Sequence, residues 1–276
     1  MKQSNSYSRR LLVKGAPKGY CNICGEFAKL TEDHIPPKSC RGITEAEVRL
    51  LHAKLSASGT QPAPRRLQAG PYFRTLCQRC NGLLGTSYDP MLADLSKQVR
   101  AIANSALHLP ATIPVRVKPQ AVMRSVLGHL AAQGLDGYKK EALITEPLKE
   151  YVLDPTRSLP PQLRFYFWLY PYRPQVLVKG AAMGRMGGHP PVVFWLMKFF
   201  PLAFFVTIEN AAMEQFKLPN LDVFRDVAID AVHEVKLPLR PIPHQLWPEN
   251  PDDSSFVLYH SDHALLATPL TRVRRT

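Results

Sequence analysis

Cys21-Asn22-Ile23-Cys24 and Cys77-Gln78-Arg79-Cys80-Asn81 are the two stretches on which the reading of this chain turns. Two residues between cysteines let one tight turn aim both sulfurs at a single ion. Two such pairs make the ligand set of a tetrahedral, all-thiolate zinc site. Gly25 follows the first pair and Gly82 lies just past the second, which suits such turns. A thioredoxin-like redox role needs one pair rather than two. The fifth cysteine, Cys40, is a spare thiol. Leu11, Leu12 and Val13 form an apolar run far shorter than a secretory core, so no export signal is expected, disulfides are disfavoured and a cytoplasmic setting is expected.

Working outward, the whole chain of 276 residues is 45% hydrophobic, enough to bury a sizeable core, and carries a net charge of +13. A balance that basic points to a polyanionic partner, nucleic acid above all. The charge is concentrated: residues 1–100 hold 16 Lys and Arg against 7 Asp and Glu. The motifs sit in that same third. Val192 to Ile208 is strongly apolar, but Lys198 and Pro201 interrupt it and it is short for a membrane span. Two buried strands joined at Pro201 are expected there, and no membrane association.

After the first cysteine pair comes Leu30-Thr31-Glu32-Asp33-His34-Ile35-Pro36-Pro37-Lys38, an acid beside a histidine at what reads as a strand end. Asn81 follows the last cysteine directly, and zinc can carry it back toward Asp33 and His34. The arrangement CNIC…EDHIPP…CQRCN resembles the HNH endonucleases with their ββα-metal fold, in particular the zinc-containing branch that includes phage Holliday-junction resolvases of the endonuclease VII type. The resemblance covers roughly residues 18–90.

That resemblance implies a structural Zn²⁺ on Cys21, Cys24, Cys77 and Cys80, a second divalent ion on Asp33 and Asn81, and His34 as the general base that activates water. The residue types suit the chemistry. An imidazole titrates near neutrality, and a carboxylate with an amide oxygen is a hard, sparse donor set that favours Mg²⁺ or Mn²⁺. Many members carry an Asn where Tyr72 stands here and a His where Gly85 stands. Lys38, Arg41, Arg74 and Arg79 flank the motif and Arg65-Arg66 lies nearby; of these, Lys38 and Arg79 are the expected phosphate contacts.

Between the knuckles, Thr44-Glu45-Ala46-Glu47 reads as a capping box, and Val48, Leu51 and Leu55 follow at helical spacing, predicting a helix over about 45–57. Asp89-Pro90 predicts an N-cap with proline at the first helical position, ahead of a face formed by Leu92, Leu95, Val99, Ile102 and Ala106. A helix is expected over Pro119 to Gly134 with Val122, Val126 and Leu130 on one face. Strands are expected at Arg164–Tyr170, Gln175–Val178, Val192–Met197, Leu202–Ile208 and Phe256–Tyr259. His260-Ser261-Asp262-His263 reads as surface, and Arg272, Arg274 and Arg275 as a small basic tail.

The expected class is α+β. A basic tail (1–17) precedes an N-terminal ββα-metal HNH module with a four-cysteine zinc site (18–108, insertion 41–71). A larger α+β domain with an antiparallel sheet (109–276) follows. The expected function is metal-dependent endonuclease action on DNA, with RNA the lesser candidate, in a setting such as restriction, phage defence or a mobile element by analogy. The alternative is a non-catalytic, zinc-stabilised nucleic-acid-binding module.

Overall fold

The strand pair that carries the motif forms as its pattern demands. In the computed structural model β1 (Lys18–Tyr20), β2 (Phe27–His34) and β5 (Tyr72–Cys77) make an antiparallel sheet in the order β1-β2-β5. The residues described are 15–40, 45–51, 63–68, 70–106, 108–134, 144–185, 191–209, 218–240, 245–250, 255–259 and 264–270. Arg41, the His260–His263 stretch and the Arg272–Arg275 tail lie outside them.

The first knuckle is the turn between β1 and β2. Cys21 donates its N–H to the Glu26 carbonyl, Gly25 donates to Cys21, and Gly25 has φ 74°, the left-handed region glycine adopts without cost. β2 and β5 pair as Leu30↔Cys77 and Thr31↔Leu76. The register then shifts, so that Asp33 faces Phe73 and His34 faces Tyr72. The shift leaves Thr75 as the extra residue on β5. Its hydroxyl donates to the Ala132 carbonyl and its own carbonyl accepts from the Asn22 N–H.

The chain leaves β5 as a continuous helical rod: α1 (Gln78–Leu83), a wider π turn (Leu84–Tyr88) and α2 (Asp89–Ala103). Leu92, Leu95 and Val99 are buried along α2, the stripe expected from spacing; Ala106 lies beyond the helix end. The predicted cap is corrected. The residue flanking α2 is Tyr88, whose side chain makes no cap hydrogen bond, and Asp89 already has helical geometry. Its carboxylate is taken instead by side chains of the next helix, described below.

α3 (Pro119–Ala132) matches the expected helix, but it is not amphipathic. Every residue except Ala131 is buried, including Gln120, Arg124, Ser125 and His129. A helix buried nearly all round sits inside a core rather than on its rim. Its largest polar group is held at both terminal nitrogens: the Arg124 guanidinium donates to the Asp154, Pro155 and Arg157 carbonyls and to Gln120, and lies 4.0 Å over the Tyr151 ring of α4 (Thr145–Leu153), while its Nε is buried without a partner among the described residues.

Over residues 45–50, where a helix is expected, the insertion is strand; Leu51 is helical, and residues 52–57 of the expected helix lie outside those described. β3 (Glu45–Leu50) alternates, with Ala46 and Val48 inward and Glu45, Glu47 and Arg49 outward, and pairs with β4 (Arg65–Gln68). The helical spacing and the capping box are overruled by a period of two that the large sheet satisfies with ladder hydrogen bonds. That sheet runs β4-β3-β13-β8-β9-β10-β7, with β12 also on β8, every pair antiparallel. Its later strands are β7 (Leu163–Leu169), β8 (Gln175–Arg185), β9 (Val192–Phe199), β10 (Leu202–Ile208), β12 (Ser255–Tyr259) and β13 (Ala264–Pro269). The insertion strands thus join the sheet of the second half. A two-stranded ribbon, β6 (Thr112–Val117) with β11 (His233–Pro238), flanks α2.

β9 and β10 are the two strands expected to meet at Pro201. Around β7 and β10 the large sheet is buried on both faces. Phe165, Phe167 and Phe204 face the core shared with α3, while Tyr166, Trp168 and Phe205 face a second cluster. Burial on both faces explains the unbroken apolar runs. It also puts these aromatics in the core, as expected. Among the described residues no helix is long and apolar enough to cross a membrane.

Candidate metal centre

Cys21, Cys24, Cys77 and Cys80 converge. All four are buried, and their sulfurs lie within 4.8 Å of one another. β1 delivers the first pair on its turn, and the β5-to-α1 junction delivers the second. The spacing fits a single ion. Zn–S bonds of about 2.3 Å at tetrahedral angles put sulfurs roughly 3.8 Å apart, and Cys24 Sγ to Cys77 Sγ is 3.8 Å. A Cys80 hydrogen bond pushes the Cys21 thiol down to about 5 against the opposing effect of burial, while burial raises Cys24. Cys40 lies apart, and burial pushes its thiol up to about 12, so it is inert.

Asn81 sits one residue past this cluster, in α1. Its Nδ2 donates to Thr31 Oγ1 at 2.9 Å and to the Glu32 carbonyl at 3.3 Å, both on β2. Since a carbonyl can only accept, these bonds fix the amide orientation and leave Oδ1 as its acceptor atom. The helix carrying Asn81 thus packs on the strand that ends in Asp33 and His34.

Asp33 and His34, as neighbours on a strand, project to opposite faces. His34 is half-buried and packs against Tyr72, its cross-strand partner, with ring centroids 5.4 Å apart. Tyr72 thus fills with ring contact the place where an orienting Asn was sought. Asp33 turns inward and is 4% exposed. Its Oδ2 lies 2.8 Å from His129 Nδ1, and His129 Nε2 lies 2.9 Å from Asp89 Oδ1, which also accepts from the Ser125 hydroxyl at 2.7 Å.

This buried chain Asp33–His129–Asp89–Ser125 was not foreseen. The available signal was Ser125 and His129, one turn apart within a largely apolar helix. Burial works against charge on His129, but the two carboxylates outweigh it and raise its pKa to about 10. Burial raises Asp33 despite His129; for Asp89, burial is overcome by His129 and Ser125, and the pKa falls.

Of the basic residues, Lys38 is exposed on a 3-10 turn, Arg79 is exposed and pairs loosely with Glu26 at 3.3 Å, and Arg74 pairs with Glu32 at 2.8 Å. Set against known proteins, the chain matches no family model, no curated protein and no solved structure.

Proposed function

We propose that this protein is an HNH-type endonuclease that hydrolyses nucleic-acid phosphodiester bonds, DNA in preference to RNA. The observation that carries this reading is the reach of Asn81 from the knuckle helix onto Thr31 and Glu32 of β2, the strand that ends in Asp33 and His34. His34 is the general base: its imidazole accepts the proton of the attacking water, and the Tyr72 ring limits its rotation. Asp33 and Asn81 would hold Mg²⁺ or Mn²⁺. Such an ion, when bound, neutralises the phosphate and the leaving oxygen. Asp33 accepts from His129 and from the His34 backbone N–H, and a carboxylate offers about four acceptor sites. Lys38 and Arg79 contact substrate phosphates, Arg79 releasing the exposed Glu26 to do so. Zinc on the four cysteines is structural, and a reducing compartment such as the cytoplasm keeps those thiols available.

The engagement of Asp33 by buried His129 favours a second reading, a zinc-stapled nucleic-acid-binding module without catalysis. Nicking of supercoiled plasmid with Mg²⁺ or Mn²⁺ separates the two. Wild type nicks, and zinc-loaded His34→Ala does not. Equal nicking by both proteins, or none by wild type, defeats the enzyme reading.

A further inference from the structure

The hairpin that carries the first knuckle presents one exposed face among the described residues. Tyr20 and Phe27 are cross-strand partners, 61% and 65% exposed, with ring centroids 5.4 Å apart and planes 74° from parallel. The next partners on the same face, two residues along, are Lys18 and Lys29, both exposed. Strand alternation sends Ala28 and Leu30 the other way, toward the core. Among the described residues neither lysine forms an ion pair.

Two exposed aromatics side by side are costly in water, and a pair of like charges directly opposite is unfavourable in a hairpin. Neither choice helps β1, whose other side offers only Gly19. The combination has a chemical complement. Unpaired nucleobases stack on aromatic rings whatever their sequence, and the phosphates between them need cations one short step away. Two residues along a strand is roughly 7 Å, within reach of a lysine stem. A duplex hides its base faces and cannot use the rings. The chain's net charge of +13 adds long-range attraction.

We propose that Lys18, Tyr20, Phe27 and Lys29 form a binding face for single-stranded nucleic acid, stacking unpaired bases on the two rings. The proposal rests on the nucleic-acid reading above and names the substrate form: a flap or opened strand with unpaired bases rather than uninterrupted duplex. The knuckle turn between β1 and β2 holds the rings in register, so little order is lost on binding.

The test uses full-length, zinc-loaded protein without added Mg²⁺ or Mn²⁺, and fluorescence anisotropy of a labelled thymidine oligonucleotide, alone and as a duplex. Tyr20→Ala/Phe27→Ala should lose about tenfold or more in single-strand affinity, with duplex affinity, zinc content and melting temperature retained. Tyr20→Phe/Phe27→Tyr should bind as wild type. Lys18→Gln/Lys29→Gln should weaken binding and flatten its salt dependence; it leaves the rings intact and decides the matter if the alanine pair fails to fold. Equal single-strand affinity in wild type and the substituted proteins overturns this proposal alone. So does loss of self-association without loss of binding, which would assign the face to a second copy. A face that binds anionic vesicles and not the oligonucleotide overturns it as well. Wild type that binds neither single strand nor duplex overturns the nucleic-acid reading itself.

Discussion

Replacing His129 by Gln removes the one cation between two buried carboxylates. Asp33 and Asp89 are 4% and 9% exposed, and the imidazole between them is 1% exposed, so water cannot screen what is left behind. Breaking a buried ion pair by removing one partner costs about 3–5 kcal/mol. The pKa gives an independent figure. His129 rises from 6.5 to about 10 on folding, and at about 1.4 kcal/mol per unit the proton is worth on the order of 5 kcal/mol. Because the folded pKa is raised, this stabilisation is complete below about pH 6.5 and is lost as pH climbs through about 10. Urea unfolding of zinc-saturated wild type and His129→Gln, from about pH 6 to 10, measures both effects. Thiolate–zinc linkage acts alike on the two proteins, so their difference isolates His129. The expected difference is several kcal/mol near pH 6.5, shrinking toward pH 10. Parallel curves, or a cost under about 1 kcal/mol, would refute the imidazolium bridge.

Cys77→Ser should release zinc and unfold the β2–β5–α1 unit, because binding energy at a structural zinc is folding energy; unchanged zinc stoichiometry and melting temperature would disprove the four-cysteine assignment. Gly128→Ala puts a methyl into the side chain of buried Leu84 and should cost about 1–3 kcal/mol, read as a lower urea midpoint at constant slope. Lys198→Met should cost about 3–5 kcal/mol by leaving the Glu249 carboxylate buried, both side chains being fully buried. Lys198→Met/Glu249→Gln should recover much of that in thermal melts.

The helices and strands of the second half were legible because their signals are local. Val192 to Ile208 could only be strands around Pro201, and α3 announced itself by length and apolar spacing. The insertion was misread for the same reason. Glu45 to Leu50 carries both a helical and a strand period, and the choice fell to β13 and β4, which pair with it from 215 and 23 residues away in sequence at Leu50↔Leu265 and Glu45↔Gln68 with their neighbours. Asp89 likewise looked like a cap, because a sequence displays the proline after it and not the helix that will cover it.

The sequence by itself determined the ligand set. Four thiols in two short turns have one chemically sensible destination, and two residues of spacing dictate that geometry without help from the rest of the chain. Only the tertiary structure decided what Asp33 touches. A strand sends consecutive side chains to opposite faces, and which face a helix then covers depends on packing between elements remote in sequence. α3, arriving 96 residues later with His129, turned Asp33 into half of a buried ion pair while leaving His34 beside Tyr72.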